Sequence, residues 1–512
     1  MSRTQNAVKN IFWGVVSQFA MFVFGFMLRT VFIYVLGSTY LGVDGLYTEI
    51  LSMLSLAELG FGTAMSFSLY KPVADNDHDK IIKLLDFYKT VYRVIATIVA
   101  IAGLCIVPFL GYLVKGADWL TLRELRAYFL VYLFNTVVGY FVTYRYTYLN
   151  ALQKNYIQTK IDTTAIVVGY ILQILAVVFL KNFMAYLLAN SMVILVSRLF
   201  VSMYLDRKYP IFKEKPKTKL SREERKPIYK DVKGLAVHRV AGVAANSTDN
   251  ILISTLTSQG VTAVGLMSNY NLIINSVQAF ITMLFSSVTS GFGNLVAAST
   301  TENFRKVFKE MDYASFWIYG FCSIAFWILV PQFITLWIGA DKLVDQAAFI
   351  LIVVNYYLQG QSRVYFDARI AKGDFNKDKM WTVMEALVNL IVSVICALRY
   401  GLVGIYIGTV VSRLFYMVFN THATYKFLFE ESVLEYYKSL IRHFLYALAA
   451  ALLTQFIVSL VAQEITVLTF IKSAVVVAIV PNLVFLLLTV RSREFAAWKN
   501  RVAVIITNIR GY

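Results

Sequence analysis

The sequence predicts an all-α polytopic membrane protein of about fourteen transmembrane helices. The expected plan is two parallel six-helix bundles around a central cavity, followed by two further helices. Three observations carry it. Of the 512 residues, 58% are apolar and only 15% charged, where soluble domains run about 45–50% and about 25%. The apolar residues fall in runs long enough to span a bilayer. The two halves of the chain repeat one pattern.

A helix needs roughly 20 apolar residues to cross the hydrocarbon core. Runs of that length lie near 11–36, 41–69, 90–113, 124–149, 161–180, 183–205 and 234–256, then 262–290, 311–338, 346–370, 381–399, 402–426, 440–462 and 466–490. The first is longer than a signal-peptide core and lacks a small-residue cleavage site after it, so it is expected to remain as a span. With residue 1 in the cytoplasm, most of the 48 Lys and Arg fall in cytoplasmic segments. Both termini are therefore expected there, and the protein in the cytoplasmic membrane.

The repeat is explicit. Pro108, Gly116, Ala117 and Asp118 recur at the same spacing as Pro331, Gly339, Ala340 and Asp341. Asn135 matches Asn355, Arg145 matches Arg363, and Gly45-Leu46 matches Gly265-Leu266. Parallel six-helix repeats imply a pseudo-twofold axis along the membrane normal and a working site between the halves. The expected organisation is a first bundle over 1–205, a basic linker over 206–233 and a second bundle over 234–439. Two extra helices over 440–490 and an amphipathic cytoplasmic tail over 491–512 follow.

Several classes drop out. A net charge of +18 would suit nucleic acid, but the basic residues sit in loops on one side of a membrane and no nucleic-acid module accompanies them. Cys105, Cys322 and Cys396 lie in apolar stretches, which supports neither a disulfide framework nor a metal cluster. There is no GxxxxGK[ST] loop for ATP, and the four histidines lack ligand spacing. No cofactor, metal or catalytic residue is expected.

Polar residues inside the spans mark the working surface, because an ionised group at depth costs about 2.5–3.5 kcal/mol even on the lenient insertion scale. In 262–290 and just past its end, Ser268, Asn271, Asn275, Gln278, Thr282, Ser286, Thr289 and Gly293 follow at three- and four-residue steps, one face of a helix. That stripe lines water or serves as hydrogen-bonded helix glue. Arg239, Gly242, Asn246, Asp249 and Asn250 continue the pattern in 234–256. Gln18, Gly25 and Arg29 share a face of the first span, with Arg29 too deep for comfortable snorkelling. Asn355, Gln359, Arg363 and Asp367 stand one turn apart, so Arg363 either faces a cavity or pairs with Asp367. Glu58 adds a carboxylate in 41–69. Arg198 and Arg413 look like packing or snorkelling residues. The candidate substrate-binding set is Arg29, Glu58, Arg239, Asn246, Asp249, Asn250, Asn271, Asn275, Gln278 and Arg363.

The run Glu58-Leu59-Gly60-Phe61-Gly62 resembles the acidic-Leu-Gly signature of polysaccharide exporters. TDNILIS at 248–254 and VGLMSNYNLI at 264–273 are similar to the seventh and eighth helices of that group. With a 6+6+2 plan, the chain resembles Wzx-type flippases of the multidrug/oligosaccharidyl-lipid/polysaccharide exporter superfamily. The resemblance implies alternating access and transfer of a polyprenyl-diphosphate-linked oligosaccharide from the inner to the outer leaflet. It also implies partners: membrane lipids, a polysaccharide polymerase or glycosyltransferase, and a proton or sodium as coupling ion. In the related lipid II flippases an arginine near the end of the first helix faces a cationic cavity. Arg29, followed by Gly37, is similarly placed. Their further arginine in the eighth helix is replaced here by the Asn and Gln ladder. Two alternatives stay open: a cation-coupled drug or small-molecule antiporter of the same superfamily, and a membrane glycosyltransferase or polymerase. The latter generally needs a long external loop, and the external loops here are short.

Overall fold

The structure, a computed structural model, describes residues 3–500 except 59, 231, 234–235, 237–247, 299–300, 372–378 and 430–431. Among the described residues its regular structure is all helical, without a strand. The main helices are α1 (Arg3–Leu36), α2 (Ser38–Leu54), α3 (Phe61–Ala74), α4 (His78–Ile106), α5 (Leu122–Ala151), α6 (Asn155–Leu180), α7 (Phe183–Lys208) and α8 (Asp249–Leu256). Then follow α9 (Val261–Ala298), α10 (Thr301–Ile338), α11 (Gln346–Ala371), α12 (Lys379–Tyr400), α13 (Leu402–Phe429), α14 (Leu434–Val461) and α15 (Val467–Thr489). Ten helices among the described residues are long and apolar enough to cross a membrane.

Every span predicted from the sequence meets a described helix, although of 234–256 only α8 and a few residues before it are described. The stretch 41–69 is one apolar run but not one helix. A 3-10 turn over Ser55–Glu58 and a left-handed Gly60, at φ 79°, divide it into α2 and α3. Glycine adopts that conformation without the Cβ clash that strains other residues. At 38 residues each, α9 and α10 are about 57 Å long, well beyond the ~30 Å hydrocarbon core.

The helix ends follow from local chemistry. Thr121 and Glu124 form a capping box at the start of α5, satisfying two backbone donors reciprocally. Asn182 caps α7 through the amide of Ala185. The glycine of the repeated Gly-Ala-Asp motif takes a positive φ in both copies, 77° at Gly116 and 103° at Gly339. Both are positive-φ positions that favour glycine.

By packing, the chain divides into two compact units, Met1–Ser268 and Asn269–Tyr512. Aromatic contact dominates the first. Phe183 meets Phe32, Tyr40, Tyr128 and Tyr186 with ring centroids 4.7–5.9 Å apart. Arg145 on α5 grips Asp206 at the end of α7 with two parallel hydrogen bonds of 2.9 Å. In the second unit α14 and α15 pack on α10. Tyr436 donates to Asp312, Trp317 donates to Asn482 at 2.6 Å, and His443 stacks on Phe316 at 4.3 Å.

The basic linker is tied to the start of α4. Lys80 donates to Glu224 at 2.9 Å and His78 meets Glu214 at 2.9 Å. The Lys80 bond, helped by the Ser221 amide, holds the Glu224 carboxyl down at about 2. Cys105, Cys322 and Cys396 are free thiols.

Candidate functional site

In the first unit the polar side chains of the spans gather into two centres. The first is built on α1. Helical spacing brings Arg29 beside the first turns of α9, where its Nη1 donates to Ser268 Oγ at 2.8 Å. The Ser268 hydroxyl donates its own hydrogen bond to the Gly265 carbonyl at 2.8 Å, so its lone pairs are available to the guanidinium. Two glycines let the helices approach: Gly42 of α2 and Gly265 of α9 lie directly against backbone atoms of the other helix. Asp44 on α2 lies within electrostatic reach of Arg29 and accepts a hydrogen bond from Tyr132. Tyr170 and Tyr186 lie near both groups. The centre thus sets a guanidinium and a carboxyl group among phenols, with Arg29 half-buried.

The second centre is a cleft of about 510 Å³ among α3 to α7, with Glu58 at one side. Thr136, Tyr140, Thr143, Thr147 and Asn150 line it from α5 at three- and four-residue steps. From α6 come Asn155, Gln158 and Asp162, and from α7 Arg198. Arg198 Nη1 donates to Asp162 Oδ1 at 2.8 Å and to Tyr146 at 3.1 Å. Asn155 Nδ2 donates to Asn150 Oδ1 at 3.1 Å. Glu58 Oε1 is 3.5 Å from the Tyr92 hydroxyl, at the limit of a hydrogen bond.

The structure therefore places the sequence candidates unevenly. Arg29 and Glu58 belong to the two centres. Asn250, also in the first unit, donates to Glu49 at 3.4 Å, and Asp249 stands in the first turn of α8. Arg239 and Asn246 lie outside the described residues. On α9 in the second unit, Asn275 is exposed and Asn271 half-buried. Gln278 donates to Thr282 at 3.2 Å and to the Tyr319 hydroxyl at 3.1 Å. Arg363 pairs with Asp367 one turn on, at 2.9 Å, the pairing its spacing left open. Arg198 and Arg413 are more than snorkelling residues: each binds a carboxylate of the preceding helix, Asp162 at 2.8 Å and Glu385 at 2.9 Å.

Sequence reasoning passed over Asp44 and the α5 stripe. Asp44 was open to the rule that flags any carboxylate inside an apolar run. The α5 stripe has the same period as the α9 stripe, but Thr and Tyr carry apolar bulk and blend into a hydrophobic segment.

Long apolar helices, charges paired between them and polar clefts within them define a multi-pass membrane protein. The chain belongs to the polysaccharide biosynthesis protein family, whose sequence profile matches residues 7–292. This agrees with the resemblance carried by Glu58-Leu59-Gly60-Phe61-Gly62. No curated protein matches the chain by sequence. Its fold is similar to that of the lipid II flippase MurJ in an inward closed conformation. That match has a TM-score of 0.67 and 14% identity, covering 94% of this chain and 98% of that one. An inward-facing multidrug resistance MATE family transporter matches with TM-score 0.61 and 17% identity, over 78% of this chain and 92% of that one. A MOP superfamily transporter from Pyrococcus furiosus, described as having a binding pocket of reverse polarity, matches with TM-score 0.54 and 14% identity, over 84% and 98%. At such identities the likeness is one of fold.

Proposed function

We propose that this protein is a flippase that moves a polyprenyl-diphosphate-linked oligosaccharide from the inner to the outer leaflet of the cytoplasmic membrane. Membership of the polysaccharide biosynthesis family supports the substrate class, and the fold shared with MurJ and MATE proteins supports transport by alternating access. The observation that carries the reading is Arg29, a half-buried guanidinium held toward Ser268 at 2.8 Å inside a membrane-spanning helix. A guanidinium has five donors, and its planar fork matches phosphate oxygens with charge-assisted hydrogen bonds. It can therefore replace the water that a diphosphate loses on leaving the surface.

Energetics favour outward movement. With both termini cytoplasmic, two negative charges leaving an inside-negative cell gain about 4–5 kcal/mol per 100 mV. Glu58, Asp249, Asn250, Asn271, Asn275 and Gln278 are proposed as further contacts, and so are Arg239 and Asn246. Arg363, already engaged by Asp367, ranks last as a phosphate ligand. A proton or sodium is proposed as coupling ion.

The test is an Arg29 series, read as lipid-linked oligosaccharide accumulating on the inner leaflet at matched protein levels. Arg29→Ala and Arg29→Glu should abolish export, the second because like charge repels the ligand where screening is weak. Arg29→Lys should keep part of it, since a point charge attracts phosphate without the bidentate fork. Full export by Arg29→Met would reduce Arg29 to a packing residue and remove the main support for the reading.

A further inference from the structure

We infer that the cleft among α3 to α7 is a saccharide subsite: it takes sugar units of the lipid-linked substrate and excludes the diphosphate. This rests on the flippase reading and assigns one part of the substrate to one place in the first unit.

Composition points there first. Apart from Gly62 and Gly139, every side chain lining the cleft bears a hydroxyl, amide, carboxylate or guanidinium, in a chain that is 58% apolar. At about 510 Å³ its volume lies within the ~300–1,000 Å³ of ligand pockets. Charge then separates sugar from phosphate. Arg198 is neutralised by Asp162 at 2.8 Å, which leaves Glu58 as the net charge of the lining. A negative cleft repels a diphosphate, whereas a carboxylate accepts hydrogen bonds from sugar hydroxyls at no such cost.

Hydrogen-bonding capacity is also left over. Buried Asn155 Oδ1 and Arg198 Nε have no partner, and the Glu58–Tyr92 contact is long at 3.5 Å. Tyr92 and Tyr140 are buried and stack on each other in the wall, with rings 6.3 Å apart and 23° from parallel, so the cleft has one rigid side. Two glycines shape the space. A Cβ on Gly62 would come within 2.8 Å of Glu58 Oε1, so its absence lets the carboxylate turn into the cleft. A Cβ on Gly139 would meet nothing within 4 Å, which makes that position a place to fill the cleft from.

The experiment measures binding to the purified full-length protein in lipid nanodiscs. One probe is bare polyprenyl diphosphate; the other is the carrier-linked oligosaccharide extracted from the producing cells. The glycosylated carrier should bind at least about tenfold tighter, as two or so net hydrogen bonds provide. Gly139→Phe should remove most of that gain while leaving the bare carrier within about twofold. Asn150→Leu, which keeps the branched heavy-atom shape and removes the amide, is the second variant should the Phe variant fail to fold, and should cut the gain at least about threefold. Glu58→Gln should keep most of it, because an amide still bonds hydroxyls. Absence of binding by both probes would overturn the flippase reading and this inference together. Equal affinity for the two probes, or an intact gain in Gly139→Phe, would overturn the saccharide subsite alone. Loss of the gain in Glu58→Gln, with sodium chloride but not potassium chloride stabilising the wild type, would make the cleft a cation site instead.

Discussion

Gly42 and Gly265 press reciprocally against each other's helix. A Cβ on Gly42 would stand 1.7 Å from the carbonyl oxygen of Val261, and one on Gly265 would stand 2.0 Å from that of Ser38. The contact holds the first turn of α2 against the first turns of α9 at backbone distance, and Arg29 reaches Ser268 three residues farther along α9. Close approach of this kind needs small residues, as at membrane helix interfaces generally.

Gly42→Ala and Gly265→Ala should therefore destabilise the protein by at least about 1–3 kcal/mol, because rigid backbone and not a side-chain tip must yield. Gly139→Ala makes the same chemical change on α5, where the new methyl meets open space. It should be neutral or stabilising by up to about 1 kcal/mol through helix propensity alone. Thermal unfolding in one detergent compares the three. Equal melting temperatures for Gly265→Ala and Gly139→Ala would refute the packing of α2 on α9.

Arg145 and Asp206 make the next comparison. Their side chains keep 10% and 23% of full exposure, so the pair is largely desolvated. Asp206→Asn leaves a guanidinium without its counter-charge and should cost about 3 kcal/mol. Arg145→Met with Asp206→Leu removes both charges and should recover most of that loss, since apolar isosteres often match a buried pair. The double variant melting lower than the single would mean that the ion pair itself stabilises the bundle.

How far the sequence revealed these features depended on the range of the interaction. Spans were legible because each is a local run. The Arg363–Asp367 pair was legible because its partners lie one turn apart. Arg198 reads as a packing or snorkelling residue because its carboxylate, Asp162, lies on the preceding helix, beyond the turn at Lys181. Arg29 stands out by its depth, its shared face with Gln18 and Gly25 and the family resemblance, but its contact with Ser268 is not readable because the two are far apart in the chain. The break at Gly60 was visible only as a glycine-rich motif, since hydropathy does not register a left-handed backbone.

Glu224 carries the pH prediction. The Lys80 hydrogen bond first, then the Ser221 amide, depress its carboxyl from 4.5 to about 2. A depressed folded-state value means that the anchor holds fully above about pH 4.5 and is lost as pH falls toward about 2. Glu224→Gln should reproduce that loss at neutral pH. Trypsin nicking of the basic loop over 206–233 should then rise about two- to fivefold, the scale of an exposed ion pair. Unchanged nicking would show that the linker does not depend on this contact.

Orientation is tested by reporter fusions. Fusions after residues 220 and 375 should read cytoplasmic and those after 118 and 341 external, as the Lys and Arg bias demands. Reversal at two or more of the four sites would overturn the topology.

The α9 stripe gives the last prediction, and the structure sharpens it. A polar face along a span stands against water or against protein, because lipid cannot satisfy it. Cysteines at Asn271 and Asn275 should react with a membrane-impermeant thiol reagent, with Asn275, the exposed member, faster. A cysteine at Gln278 should react more slowly, since Tyr319 and Thr282 already hold that side chain at 3.1 and 3.2 Å. Buried Ile274 gives the unreactive reference. The native thiols Cys105, Cys322 and Cys396 are first replaced by serine or alanine so that only the introduced group reports. Adding the lipid-linked oligosaccharide should slow labelling at Asn271 and Asn275 and leave a cysteine in the linker unaffected. Equal labelling of Asn275 and Ile274, or none at either, would return the stripe to helix packing and remove α9 from the substrate path.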